Sequence, residues 1–285
     1  MPLQIIARPT AEPIDLILAQ LQTKQDAGID DVILRACISG AREFAQSTTN
    51  RQIIAARYKL VLDSFPSGSG VANVPYGETF SLPANAILLE PNPIIQIVSI
   101  QYLAMDNTLQ LMPATDYCAE LTSEPARITP VFGKIWPIPL PQIGAVIVTF
   151  DAGYAAPAVF DPVLDTATIG GWKALAVNDS FRLTNSGGTL PAPLSANLDY
   201  YVQTVVSPGV YKLSLTVGGA AIDITTVGVG THYLGEVPEG FISWMMLRLG
   251  SLYQNREEVA LMSRGKLEPL PFADGLLDQY RVWRI

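Results

Sequence analysis

The chain carries at positions 146–154 the stretch Val146-Ile147-Val148-Thr149-Phe150-Asp151-Ala152-Gly153-Tyr154. Its large apolar residues Val146, Val148 and Phe150 stand at every second position, which is the period of a strand with one buried face. Residues 58–62 alternate in the same way and predict another strand, and further strand signals stand at 87–89, 94–102 and 109–112, with a hairpin turn at 105–108. Residues 51–154 are therefore predicted to form an all-β unit.

The segment that follows Tyr154 predicts a second β-rich module. Short alternating strands are indicated by the pairs or triplets Phe181/Leu183, Tyr201/Val205, Tyr211/Leu213/Leu215 and Ile222/Ile224. Turn signals rich in Gly, Ser and Pro separate them at 185–188, 207–209 and 218–219. This regular spacing is typical of a small sandwich or barrel.

Both ends of the chain show the 3.6-residue period of amphipathic helices. Near the N-terminus, a short pattern at 13–22 stands behind Thr10 as a possible cap, and a longer apolar face runs from Ile29 to Ala45. Near the C-terminus, Pro238 suits a first helical turn, and the apolar residues of 241–253 cover an unusually wide arc. That breadth predicts burial on more than one side, against the domain core and against a partner chain.

The composition is that of a folded, acidic protein. The chain has 285 residues and a net charge of −8, with 49% hydrophobic and 15% charged residues. The negative charge argues against a surface that binds nucleic acid by neutralising many phosphates. No secretory signal and no membrane helix are predicted, so a cytoplasmic protein is expected. Cys37 and Cys118 are interpreted as reduced, mostly buried thiols, with a disulfide or a reactive thiol as alternatives.

Residues able to carry catalysis are few. The one histidine, His232, excludes a two-histidine metal site within the chain and is interpreted as a structural residue of a β module. Neither a GxSxG nucleophile elbow nor a GxxxxGK[ST] phosphate loop is present. Three carboxylate pairs are interpreted as helix-end or loop charges, namely Asp30/Asp31, Asp161/Asp165 and Glu257/Glu258. The chain is therefore predicted not to be an enzyme and to need no metal or cofactor, with an unrecognised hydrolase as the alternative.

A series of short motifs stands in a fixed order along residues 27–154 and 237–282. They are Ala41-Arg42-Glu43 leading to Thr49-Asn50-Arg51-Gln52, the strand 93–102, Asp116-Tyr117, Arg127-Ile128-Thr129-Pro130, Trp136-Pro137, the strand and Ala-Gly-Tyr turn of 146–154, Val237-Pro238-Glu239, Tyr253-Gln254-Asn255-Arg256-Glu257 and Leu276-Leu277-Asp278-Gln279-Tyr280-Arg281-Val282. Together they resemble the head–tail connector (adaptor) proteins of long-tailed bacteriophages and gene-transfer agents.

The resemblance implies an α+β fold with three parts. Both chain ends, 1–50 and 237–285, would form a small helical bundle, and 51–154 would be the central all-β unit of the connector. In the family the Ala-Gly-Tyr turn is usually followed closely by the Val-Pro helix start, whereas about 80 residues separate Tyr154 from Val237 here. Residues 155–236 are therefore interpreted as a sandwich- or barrel-like β domain inserted at an exposed loop.

The function that the resemblance implies is structural. Such a protein joins the portal of the capsid to the tail as a ring of typically twelve copies around the DNA channel. The expected partners are further copies of the chain, the portal protein and the stopper or tail-completion protein. DNA would pass through the channel without sequence-specific binding, and no membrane is expected. The implied location is the head–tail junction of the virion, after assembly in the host cytoplasm.

The residues predicted to form protein interfaces lie near the C-terminus. They are Phe241, Trp244, Leu247, Leu276, Leu277, Tyr280, Arg281, Val282, Trp283 and Ile285. The end of the chain is too apolar for a free tail, so 276–285 are predicted to dock on a neighbouring subunit or on the portal. The alternative is that this segment folds back on the helices of its own chain.

A second hypothesis assigns the function to the inserted β domain. The domain would be a module on the virion that binds a carbohydrate or a host surface. Tyr200, Tyr201 and Tyr211 could offer rings for stacking, and packing across strands in the core is the other interpretation of these tyrosines.

Overall fold

The structure is a computed structural model that describes residues 3–9, 11–67, 85–170, 172, 174–196, 198–254 and 271–282, with the backbone alone at 187 and 271–274. The chain forms two compact units. Unit 1 comprises residues 1–8 and 56–153, and unit 2 comprises residues 9–55 and 154–285. Helices and several sheets together make an α+β fold, which confirms the predicted class.

Unit 1 is built from antiparallel strands in two sheets. The strands are β1 (Leu3–Ala7), β2 (Ala56–Leu62), β3 (Ile87–Leu89), β4 (Ile94–Leu103), β5 (Leu109–Leu111), β6 (Tyr117–Glu120), β7 (Ala126–Pro130) and β8 (Val146–Ala152). One sheet has the order β1-β2-β8-β4-β5 and the other the order β3-β7-β6. A short 3-10 turn, Ala114–Asp116, precedes β6.

Strand β8 lies between β2 and β4 and contributes the centre of the unit 1 core. Val146, Val148 and Phe150 are fully buried, as their alternation predicts. Phe150 stacks on Tyr58 of β2, with 5.6 Å between ring centroids. The apolar face of the sheet therefore forms one layer of a continuous hydrophobic cluster.

A buried charge cluster links the three central strands. The carboxylate of Asp151 is fully buried on β8. It accepts hydrogen bonds from Arg57 Nε at 2.7 Å and Nη2 at 2.9 Å, and from Gln96 Nε2 at 2.7 Å. Because Arg57 lies on β2 and Gln96 on β4, the carboxylate is bound from both neighbouring strands.

The helices belong to unit 2 and are α1 (Leu16–Thr23), α2 (Asp31–Thr49), α3 (Glu239–Gln254) and α4 (Pro271–Asp278). Asp15 caps α1, since its Oδ1 accepts a hydrogen bond from Ile17 N at 2.9 Å. Helix α2 ends at Asn50 in a left-handed conformation with φ 56°. Ala41 and Ala45 of α2 are completely buried in one cluster with residues of α3, and their small side chains allow the two helices to approach closely.

The remaining strands of unit 2 close into a barrel. They are β9 (Ala155–Asp161), β10 (Thr166–Ile169), β11 (Ser180–Thr189), β12 (Asp199–Ser207), β13 (Val210–Ser214) and β14 (Val229–Gly235). The order is β10-β13-β12-β11-β14-β9, and β9 pairs with β10 to close the circle. All these strands lie within 155–236, so the β-rich module predicted there is a closed barrel.

Three local features differ from the sequence-based expectations. Residues 3–7 form a strand rather than part of a helical region, because Leu3, Gln4 and Ile5 pair with β2. The segment with Ile222 and Ile224 is not a strand, although both side chains are buried. Helix α1 begins behind Asp15, and Thr10, which was expected to cap it, lies outside the described residues.

We expect Gly235→Ala to lower the free energy of unfolding by about 2–3 kcal/mol. Gly235 has φ +89°, and an added Cβ would lie 2.6 Å from the Tyr154 carbonyl oxygen. Gly28→Ala is the matched control, because Gly28 has φ +90° but open space around its Cα. In the control, the free energy of unfolding should fall by only ~1 kcal/mol, which is the cost of a Cβ at a positive φ. Equal losses in urea titrations of both variants would show that the contact with Tyr154 costs nothing.

Candidate assembly surfaces

The predicted interface residues of α3 are covered by their own chain. Phe241 and Trp244 are buried in unit 2, and Leu247 is half-buried. Helices α1, α2 and α4 all contact α3. No large apolar side chain of α3 is exposed among the described residues. The wide apolar arc of this helix is therefore accounted for by three helices of the same chain.

Residues 276–282 of the predicted docking segment fold back on the helices of unit 2. Leu277 and Val282 are buried, and the ring of Tyr280 stacks on Phe241 with 4.5 Å between centroids. Leu276 and Arg281 are half-buried, and Arg281 Nη1 lies 3.5 Å from Asp278 Oδ1. This placement is the alternative that the sequence left open.

Three hydrogen bonds, two from side chains and one from the backbone, hold this segment against the end of α2. Arg51 Nε donates to the Tyr280 carbonyl at 2.5 Å, Asn50 Nδ2 donates to the Val282 carbonyl at 3.1 Å, and Val282 N donates to the Thr49 carbonyl at 3.0 Å. Trp283 and Ile285 lie outside the described residues, so their predicted interface role stays a prediction.

Helix α2 presents an apolar face to solvent. Leu34, Ile38, Ala41 and Ala45 face the core of unit 2. The exposed side of the segment carries the apolar residues Ile29, Val32, Ile33, Ala36, Gly40 and Phe44 together with one exposed acid, Glu43, and Val32 is 82% exposed. The sequence predicted one continuous apolar face from Ile29 to Ala45, and the structure buries only part of it. Apolar residues occupy more than half of this helix's circumference, so the fold covers one side and leaves the other open.

An aromatic group lies at the end of this exposed face. The ring of Phe44 stacks on Trp244 of α3, with 5.6 Å between centroids and 12° between planes. The guanidinium of Arg248 lies over the same ring at 5.1 Å. Phe44 is thus fixed by its own chain while 47% of its surface remains in solvent. We define the α2 face as Ile29, Val32, Ile33, Ala36, Gly40 and Phe44.

The carboxylates that the sequence singled out act as hydrogen-bond acceptors within the fold. Asp31 Oδ1 accepts from Gln20 Nε2 at 2.7 Å and from Gly28 N at 3.1 Å. Asp161 Oδ1 accepts from Val163 N at 2.8 Å, and Asp165 Oδ1 accepts from Ile224 N at 3.0 Å. Asp30 accepts from the Tyr253 hydroxyl. Glu257 and Glu258 lie outside the described residues.

A cleft between α1, α2 and β14 contains two further carboxylates, Glu12 and Asp15. Glu12 accepts hydrogen bonds from Arg42 Nε at 2.7 Å and from Ser39 Oγ at 2.8 Å. Asp15 caps α1 through its Oδ1 and accepts from Thr231 through its Oδ2. Glu12 therefore connects the segment before α1 to α2, and Asp15 connects the start of α1 to β14.

We expect Tyr233→Phe to change how the stability of unit 2 depends on alkaline pH. The Tyr233 hydroxyl donates to the Glu12 carbonyl oxygen, and burial raises the pKa of the phenol. Because the folded-state pKa is raised, the stabilisation is complete below the ordinary tyrosine value of about 10 and is lost as the pH rises above it. The variant should lose about 1 kcal/mol at pH 7. Urea titrations at neutral and alkaline pH measure both effects, and identical alkaline slopes for the two proteins would contradict the expectation.

The barrel residues that the sequence singled out lie mostly inside it. His232 is buried, with Nδ1 2.9 Å from Asn185 Nδ2 and Nε2 2.9 Å from the Val227 carbonyl oxygen. Tyr200 and Tyr211 are also buried, and Tyr201 is half-buried. The first two rings are thus unavailable for stacking on a ligand, which removes two of the three residues that carried the carbohydrate-binding hypothesis.

Among the described residues, no group of three or more His, Cys, Asp and Glu side chains is arranged to hold a metal ion. Within the same part of the chain, no helix combines the length and the apolar character that crossing a bilayer requires. Both cysteines are free thiols, and Cys118 is exposed rather than buried. Its strand β6 is an edge of the three-stranded sheet, and Cys118 is the one exposed residue of that strand.

The fold of the whole chain has solved counterparts. No family model matches the sequence, and no curated protein matches it either. A chain from the neck of an empty gene transfer agent (GTA) particle, computed with C6 symmetry, is similar with a TM-score of 0.55 and 12% identity. A chain from the virion of a native gene transfer agent particle gives 0.55 and 11%. Each comparison covers 100% of this chain and 97% of the other, so the likeness in fold extends over the full length.

Proposed function

We propose that the protein is a structural component of a phage-like virion, located at the neck, where it joins the portal to the tail as a ring around the DNA channel. The observation that carries the proposal is the full-length similarity of its fold to chains of gene transfer agent neck and virion structures. The ordered series of connector-like motifs in the sequence supports the same role independently. Portal and stopper proteins are its partners in this proposal.

The α2 face supports assembly with other chains. Exposed apolar surface that is contiguous along a helix is costly in a soluble protein unless a partner covers it. Trp283 and Ile285 keep their proposed role as contacts to the portal or to a neighbour.

The charge of the chain fits a conduit for DNA. A net charge of −8 repels phosphate groups, so DNA that passes close to the ring is not retained. A structural rather than an enzymatic role is further supported by Glu12, Asp31 and His232, whose polar atoms are engaged in contacts within the fold.

Deletion of the gene tests the proposed function. We expect cells that lack the protein to accumulate filled heads and free tails that do not join, and complementation with the wild-type gene to restore complete particles. In these particles, electron microscopy with an antibody label should locate the protein at the neck. Complete, tailed particles from the deletion strain would overturn the proposal.

A matched pair of substitutions tests the α2 face within that assay. Val32→Asp places a charge on the α2 face, whereas Val177→Asp places one on an exposed turn between β10 and β11. Both variants should fold with unchanged unfolding midpoints, because both side chains are in solvent. Only Val32→Asp should fail to restore complete particles. Full restoration by both variants would show that the α2 face takes no part in assembly.

A further inference from the structure

The five-stranded sheet of unit 1 has two open edges. Its order places β1 at one edge and β5 at the opposite edge. Within the residues that the structure describes, β1 pairs only with β2, and β5 pairs only with β4. Every residue of both edge strands is exposed. Each edge therefore presents a row of backbone N–H and C=O groups, with its side chains, to solvent.

Neither edge strand contains a charged side chain or a proline, although the pairing of β1 with β2 shifts register between Ile5 and Ala7 and β5 has only three residues. Edge strands are usually protected by charged side chains, prolines or bulges that turn the strand away. Strand β1 reads Leu-Gln-Ile-Ile-Ala and β5 reads Leu-Gln-Leu, without charge or proline. Ile6 is 52% exposed and Leu111 is 64% exposed. Apolar, uncharged edges of this kind are suited to strand addition.

The β5 edge and its adjoining loop offer most of the apolar area found on one side of a standard interface. The loop after β7 adjoins the β4–β5 hairpin, because Leu140 N donates to the Leu103 carbonyl oxygen at 2.8 Å. Hairpin and loop expose five large apolar side chains, namely Met105, Leu109, Leu111, Ile135 and Ile138. A fully exposed side chain of this kind presents roughly 100 Å², and the five are 58–88% exposed, so together they offer roughly 350 Å² of apolar surface. One side of a standard interface has about 800 Å², a little over half of it apolar.

The charged residues beside the two edge strands are of opposite sign. Arg8 follows β1, and Lys59 of β2 lies opposite Gln4, while residues 3–8 and 56–62 contain no acidic residue. The β4–β5 hairpin, residues 103–112, contains Asp106 as its only charged residue, and the adjoining loop contains Lys134, whose charge is offset by its ion pair with Asp116. The Thr108 hydroxyl and amide donate to Asp106, which lowers the pKa of that carboxyl and keeps it ionised. A basic, apolar edge and an acidic, apolar edge are complementary.

We propose that the β1 edge of one copy docks on the β5 edge, together with its adjoining loop, of the next copy, so that the sheet continues from subunit to subunit. This docking rests on the proposed function, to which it adds the identity of the surfaces that join the copies. Because the edges differ, the contact is head to tail, and repetition of one rotation closes a ring.

Crosslinking distinguishes head-to-tail docking from other arrangements. In a Cys118→Ser background, Gln4→Cys and Gln110→Cys place thiols on the two exposed edge strands. With a short bismaleimide crosslinker, the double variant should give a ladder of dimers, trimers and larger species, both as purified protein and in particles. Each single variant, and the background itself, should remain monomeric on a denaturing gel, because one edge alone does not meet its own copy.

The outcomes separate the docking from the proposed function. Dimers from either single variant, or no ladder from the double variant in both settings, overturn the docking. Protein that is present at the neck without a ladder leaves the proposed function standing and removes the docking. If the purified protein gives a ladder but the protein is not found in particles, the docking is supported and the proposed function is wrong. Mixing Ile5→Lys with Leu111→Lys provides a second test, because each variant retains one intact edge and the mixture should stop at dimers.

Discussion

Replacing Arg57 with methionine is expected to lower the free energy of unfolding by about 3–5 kcal/mol, because it leaves the Asp151 carboxylate buried without its cation. The carboxylate is fully inaccessible, and two of its three described hydrogen bonds come from Arg57. The remaining donor, Gln96 Nε2, is neutral. The loss should appear as a lower urea midpoint with an unchanged slope.

Two further variants establish that the buried charge is the cause. The pair Arg182–Asp199 has the same 2.7 Å distance but is exposed on both sides, so Arg182→Met should leave the urea midpoint nearly unchanged. Adding Asp151→Asn to Arg57→Met removes the buried charge and should recover part of the loss. If the double variant is no more stable than Arg57→Met alone, the destabilisation arises from lost packing of the arginine stem.

Phe241→Ala is expected to cost about 3–5 kcal/mol, as is usual when a buried phenylalanine is truncated. Phe241 is completely buried and packs against two aromatic rings. Its ring centroid lies 4.5 Å from that of Tyr280 and 5.8 Å from that of Tyr154. Because Tyr280 belongs to the segment that folds back on α2, the truncation should also loosen residues 276–282. Hydrogen exchange at Val282 N, which is bonded to the Thr49 carbonyl oxygen, should then become faster.

The control for this prediction is another phenylalanine. Phe132 is fully exposed, so Phe132→Ala should change the free energy of unfolding by no more than ~0.5 kcal/mol. A different result for Phe241→Ala would be informative. If this variant kept its stability and lost only the ability to assemble, Phe241 would be an interface residue, as the sequence predicted, and the packing against Tyr280 would be of no consequence.

Periodicity was sufficient to predict the parts of the fold in which one face is buried along a whole element. The alternation at 146–154 identified β8, and the same pattern at 58–62 identified β2, because each residue's environment repeats with the strand period. The end of α2 near Asn50 was also predicted. By contrast, β1 was missed. Its five side chains are all exposed, so its sequence does not alternate between buried and exposed positions.

The candidate surfaces were harder to predict, because the sequence does not say which of two apolar sides a neighbour covers. Helix α3 was expected to meet a partner chain, but three helices of its own chain surround it. Helix α2 was expected to bury the side with Val32 and Phe44, but its core contacts are made through Leu34 and Ile38. The buried position of Asp151 was also missed, since its partners Arg57 and Gln96 are 94 and 55 residues away in sequence.

The closure of strands β9–β14 has a consequence for how the two units tolerate change during evolution. In a closed barrel every strand pairs on both sides, so there is no edge with unpaired backbone N–H and C=O groups. Mutations on the outside of the barrel therefore cannot lead to pairing with an additional strand. Its turns, such as the one between β12 and β13 at Pro208-Gly209, are therefore suitable places to insert an epitope tag without seeding fibre growth. Lineages of this protein can be expected to diverge most in the barrel and least along β1 and β5.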